Sequence, residues 1–255
     1  MPPPPGSVTS GEVESSRVAL ENAFEALRKG VDVCVDGFNR IVDEINDHSW
    51  LLGPIPMFFI RNHMEDVRAQ LMALLDVAQK VLQGGVPVLS LFTTSIDYLT
   101  AVQTPVSDIS YDISAPADDN LNYWTGAANL AYKQKQAAQK AATDRTVDNA
   151  TFMSKWLFDI GKTNVAYAVE LVKIVVDAGS ELVSVTTNGL SIVNIQFALD
   201  DLAEALKKLI KAGLNQLVEL ANKFVATLGD VRDVLEKRAR HTELEGGHWP
   251  QAVYS

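Results

Sequence analysis

The sequence predicts an all-α protein, an elongated antiparallel bundle of about five long helices. Three observations carry that reading. Apolar residues recur at steps of three and four along most of the 255 residues, the spacing that lines one face of a helix. No stretch sustains the period-two alternation of a half-buried strand. Proline and glycine gather at a few points between the periodic stretches and divide them into elements.

Residues 1–10 form a Pro/Gly/Ser/Thr tail, disordered or polyproline-like. The first helix carries Leu20, Phe24, Leu27, Val31, Cys34, Phe38, Ile41 and Ile45, a heptad-like seam that faces another helix. Gly30 and Gly37, seven residues apart beside that seam, permit a close helix approach. Pro54 and Pro56 break the pattern. A second helix follows with Met64, Val67, Leu71, Leu74, Ala78 and Val81 on one face, ended by Gly84, Gly85 and Pro87. A third runs from about Pro87 through Leu89, Phe92, Ile96, Leu99 and Val102, and Pro105 kinks or closes it. The Ser-, Asp- and Pro-rich stretch 107–120 reads as a loop. Asp118 or Asp119 is placed to cap the next helix.

From Asn120 to Thr187 there is no proline. An uninterrupted helix there would reach roughly 100 Å; the alternatives are a turn at Gly126 or bends near Gly161 and Gly179. Asn188-Gly189 marks a turn, and a helical hairpin fits residues 182–193 better than a β-hairpin because helical patterns flank it. The last helix carries Ile195, Leu199, Leu202, Leu206, Leu209, Leu217, Leu220, Phe224, Leu228, Val231 and Leu235. Lys237, Arg238 and Arg240 at its end suit the helix dipole. The bundle so defined covers 11–243, with a short tail over 244–255.

Composition bounds the function. A hydrophobic content of 47% builds an ample core, in one elongated domain or two. The net charge of -10 gives no basic face for DNA or RNA, so nucleic acid is not an expected partner. The single cysteine, Cys34, sits in an apolar stripe and reads as a small core residue. The N-terminus lacks the basic and apolar regions of a general secretory signal. No run of 18 apolar residues marks a transmembrane span; the strongest apolar cluster, Leu51 to Ile60, is short and holds two prolines.

The most distinctive segment is Tyr123-Trp124-Thr125-Gly126-Ala127-Ala128-Asn129-Leu130-Ala131-Tyr132. A Trp-x-Gly turn leads directly into a helix start rich in small residues. With the all-helical surroundings, it resembles the WxG superfamily of type VII (ESX) secretion substrates, over about residues 88–180. The resemblance implies a helical hairpin turned at Gly126, with the Trp124 indole at its tip. Ala127, Ala128 and Tyr132 fall where that family has small residues and an aromatic, and Tyr123 completes the interaction motif. It also implies no enzymatic activity and no cofactor. The implied partners are a protein or a second copy bound through helical seams, together with a secretion ATPase or chaperone. The implied location is the medium or cell envelope, reached without a signal peptide; the alternative is the cytoplasm. The chain departs from the family in length, with about 120 residues before the turn. The family's Tyr-x-x-x-Asp/Glu export motif is also missing, since Tyr132 is followed by Gln136 and Tyr167 by Leu171.

Other motifs carry less. Gly161-Lys162-Thr163 matches the end of a phosphate-binding loop, but position 156 is Trp where that loop needs glycine. His48, His63, His241 and His248 are scattered, with no metal-ligand spacing and so no expected metal. No nucleophile elbow occurs. Two alternatives stand beside the secretion reading. One is a helical membrane-active toxin component, inserting the apolar arms 165–176 and 182–199; Glu170, Lys173, Asp177 and Glu181 would be costly in lipid. The other is a cytosolic scaffold or toxin-neutralising partner.

Overall fold

A computed structural model describes residues 8–51, 53–114, 123–187 and 195–239. All regular structure among them is helical: α1 (Ser10–Asp47), α2 (Pro54–Gln83), α3 (Gly85–Asp97), α4 (Thr104–Ser114), α5 (Ala127–Thr187) and α6 (Ile195–Ala239). A short 3₁₀ turn, Ser49–Leu51, follows α1, and a π-helical turn, Tyr98–Gln103, joins α3 to α4. The described residues thus form about four long helical stretches, because α2, α3 and α4 follow one another with little interruption. At Gly84 the backbone stays right-handed, and Gly84 N–H bonds to Lys80 O while Val88 N–H bonds to Gly84 O.

Local chemistry sets the helix ends. Thr9 and Glu12 form a capping box: the Thr9 hydroxyl accepts the Glu12 N–H at 3.2 Å, and the Glu12 carboxylate accepts the Thr9 N–H at 2.9 Å. The first helix therefore begins within the stretch read as tail. Pro54 and Pro56 sit in the first turn of α2, where the missing N–H leaves no bond unmade.

The expected loop over 107–120 is corrected through Ser114, which closes α4. Its polar side chains find partners that make helix acceptable there. The Ser110 hydroxyl donates to the Asp144 carboxylate, Ser114 Oγ donates to Ser110 O, and Gln136 Nε2 donates to Ile113 O. Pro105 does not close the helical stretch; it lies in the first turn of α4. The π-helical turn precedes it, and the Thr104 N–H and hydroxyl both bond to Leu99 O. The caps assigned to Asp118 and Asp119, the Asn188-Gly189 turn, Arg240, His241, His248 and both tails fall outside the described residues, apart from 8–10.

The chain divides into two compact units: residues 1–14, 89–161 and 225–255, and residues 15–88 and 162–224. The second is a bundle of α1, α2, the later part of α5 and the earlier part of α6. Its core is aliphatic and includes Leu27, Cys34, Ile41, Leu74, Leu171, Val175, Leu182, Leu199 and Leu206. The predicted seams of α1, α2 and α6 supply most of it; Ile195, Phe224, Leu228, Val231 and Leu235 have side chains outside those described. The arms 165–176 and 182–199 furnish core residues Ala168, Leu171, Ile174, Leu182 and Leu199, the role of a bundle interior.

α1 and α2 pack antiparallel, but α1 and α5 run parallel. A Cβ on Gly30 would lie 2.8 Å from Val175 Cγ1, and one on Gly37 would lie 2.9 Å from Leu182 Cβ. Contacts advance along both helices together. In return, a Cβ on Gly179 would come to 3.0 Å from Val33 Cγ1. The two glycines of α1 thus serve the close approach that their spacing suggested.

In the other unit, α3 and α4 lie antiparallel to the first part of α5. Phe92 meets Phe158 edge-on at 5.9 Å, Ser110 meets Asp144, and Gln136 meets Ile113. Its interior is more polar: Ser95, Ser110, Asn129, Thr143 and Ser154 are the buried polar residues among those described.

Candidate interaction site at the turn before α5

Gly126 has φ of 95°, the left-handed region that side chains with a Cβ rarely adopt. No other described residue has a positive φ. The conformation matters because it turns the chain into α5. The Gly126 carbonyl accepts the Leu130 N–H at 3.2 Å, the first bond of the helix. The buried Asn129 amide reaches back and donates to the Trp124 carbonyl, fixing the segment on both sides of the glycine. Good helix formers follow: residues 127–142 are rich in Ala, Lys and Gln.

This turn presents aromatic surface rather than hiding it. Trp124 is 39% exposed and packs against Tyr132, 41% exposed, with ring centroids 5.8 Å apart and planes tilted by 50°. Tyr123 and Leu130 are more exposed still. The Gln136–Ile113 bond brings the end of α4 beside this region, and Ile109 and Tyr111 of α4 are exposed as well. Of the residues singled out from the sequence, Trp124 and Tyr132 touch, Gly126 provides the turn, and Ala127 and Ala128 open the helix without side-chain bulk.

Other candidates lose their chemistry. Gly161, Lys162 and Thr163 lie inside α5, so their N–H groups belong to the helix ladder and cannot cradle a phosphate. A Cβ on Gly161 would come to 2.5 Å from Phe92 Cε1, so this glycine serves packing. His48 Nδ1 lies 2.9 Å from the Glu44 carbonyl, and His63 Nδ1 lies 3.5 Å from Asp200 Oδ1. Among the described residues, no group of three metal-ligating side chains converges. Cys34 is buried, and its thiol donates to Val175 O at 3.3 Å. Burial pushes the Cys34 thiol up to about 11.

Two surface features stand out, one missed in the sequence and one read there without its exposure. The helical stretch Pro54–Ser114 contains a segment long and apolar enough to cross a membrane, of which 17% is buried in the protein. Interspersed Ser, Thr and Gly hid it from a search for unbroken apolar runs. The second is an exposed apolar cluster where α1 meets α2, comprising Trp50, Leu51, Ile55, Phe58 and Phe59. Its signal was legible as the strongest apolar cluster of the chain. Comparison with protein-family models, curated proteins and solved structures finds no match to this chain.

Proposed function

We propose that this protein is a non-enzymatic type VII secretion substrate or secretion-associated protein that acts through helix–helix contacts. The observation that carries the reading is the turn at Gly126, with Trp124 and Tyr132 in tilted contact and exposed beside it. A monomer's aromatic anchors are normally buried; paired, half-exposed ones at a turn suit a partner's pocket. In this reading the turn is the tip of a helical hairpin over about residues 88–180, within a five-helix bundle. The tip is read by a secretion ATPase, a chaperone or a protein partner, and the protein reaches the medium or envelope without a signal peptide.

The test is fractionation of the native host with and without its type VII secretion ATPase, comparing the wild type with Trp124→Ala. The expected result is export that depends on the ATPase and falls sharply in Trp124→Ala, while the melting temperature barely moves. Cytosolic retention of the wild type in both strains would sink the proposal. So would parallel loss of export and melting temperature in the variant, which would make Trp124 a packing residue only.

A further inference from the structure

The junction of α1 and α2 has a surface that the bundle does not use. Residues 49–60, Ser-Trp-Leu-Leu-Gly-Pro-Ile-Pro-Met-Phe-Phe-Ile, contain no charged side chain. The first two turns of α2 are apolar on both faces. Met57 and Ile60 point toward α1, while Ile55, Phe58 and Phe59 point away, with Phe58 62% exposed. Trp50, on the 3₁₀ turn, is 79% exposed. A helix apolar all round requires a cover on its outer face, and the unit to which it belongs supplies none among the described residues.

Charge indicates the cover. A cleft of about 420 Å³ lies between α1 and α2, floored by Phe38, Val42, Met57 and Met64. Arg61 and Arg68 line the same cleft, one and three turns along from the aromatic pair, with the single carboxylate of Glu65 between them, so the lining is net positive. Neither guanidinium has an ion-pair partner among the described residues, although the chain carries ten more acidic than basic charges. The arrangement is layered, with an aromatic and aliphatic tip at the end of a helical pair and unpaired arginines just behind it. A bilayer is layered in the same order, hydrocarbon beneath phosphate, and Trp and Phe are side chains of interfacial helices.

We infer that the α1–α2 junction docks on a phospholipid bilayer, the tip entering the acyl boundary and Arg61 and Arg68 meeting lipid phosphates. Docking is peripheral, because the apolar tip spans only a few helical turns. It does not depend on the secretion reading, and Trp124 takes no part in it.

The experiment is flotation of the full chain with phosphatidylcholine vesicles, with and without 30% phosphatidylglycerol. Both vesicles should bind the wild type, the anionic one more tightly. Ile55→Ser/Phe58→Ser/Phe59→Ser should weaken binding to both by at least about tenfold, since each removed apolar side chain contributes to partitioning. Arg61→Gln/Arg68→Gln should remove the preference for the anionic vesicle and leave the rest. Trp124→Ala should bind as the wild type. Circular dichroism and melting curves must match the wild type for the variants to count, and single Phe58→Ser serves if the triple variant misfolds. Failure of the wild type to float with either vesicle overturns the inference. Unchanged binding by folded Phe58→Ser and triple variants does the same. A concentration-dependent dimer lost in those variants, without flotation of the wild type, would assign the tip to a second copy and also overturn it.

Discussion

Cys34 shows what burial does to one side chain. The thiol sits fully inside the aliphatic bundle, donates to the Val175 carbonyl and has its ionisation pushed from 9.0 up to about 11. It should be inert to maleimide near neutral pH in the native protein and react quickly once the chain is unfolded, as followed by mass spectrometry. The same shift has a stability consequence. Below about pH 9 both states keep the proton, so stability is unaffected. Between about 9 and 11 the unfolded chain releases a proton that the folded chain retains, so stability falls across that window. Denaturant midpoints measured from pH 8 to 11 should decline for the wild type more steeply than for Cys34→Ala. Gly126 is the other informative residue. Gly126→Ala forces a Cβ into a positive-φ backbone and should lower stability by about 1–2 kcal/mol in denaturant titrations.

Helices are where the sequence was most readable and where its silence has a clear cause. Seam positions such as Leu27, Ile41, Leu74 and Leu206 were legible because each repeats a local spacing, and burial follows that spacing. α4 was not, because Ser107, Asp108 and Ser110 favour loops when judged locally; the Asp144 carboxylate that accepts the Ser110 hydroxyl is 34 residues away. Trp124 and Gly126 were legible as a motif, whereas the exposure of their aromatic neighbours was not, since exposure depends on what fails to cover them. The parallel course of α1 and α5 was equally invisible, because periodicity carries no direction. That contact makes a prediction of its own. Ala is the better helix former by about 1 kcal/mol, yet Gly37→Ala would press a methyl against Leu182. Overpacking should win, with a net loss of about 1–3 kcal/mol by chemical denaturation. Leu206→Asp, which places an unpaired carboxylate in the same core, should cost about 4 kcal/mol or more and collapse the melting transition.

Across the whole molecule, the two units differ in what fills them. The unit containing residues 15–88 and 162–224 has a continuous aliphatic core. In the other, the buried apolar side chains larger than alanine among the described residues are Val8, Phe92 and Phe158, set among Ser, Thr and Asn. Less apolar burial means a lower free energy of opening. Hydrogen exchange should therefore show slower amides in α1, α2 and the later part of α5 than in α3, α4 and the earlier part of α5. A uniform exchange profile would refute this ranking. The sequence distance between α1 and its partner α5 also sets a timetable for biogenesis. Cys34 and Val175 are 141 residues apart in the chain. At about 5–20 residues per second, a ribosome needs roughly 7 to 28 s to make the second after the first. Throughout that interval the face of α1 bearing Gly30, Cys34 and Gly37 has been synthesised but its counterpart has not, so this part of the core closes late in synthesis.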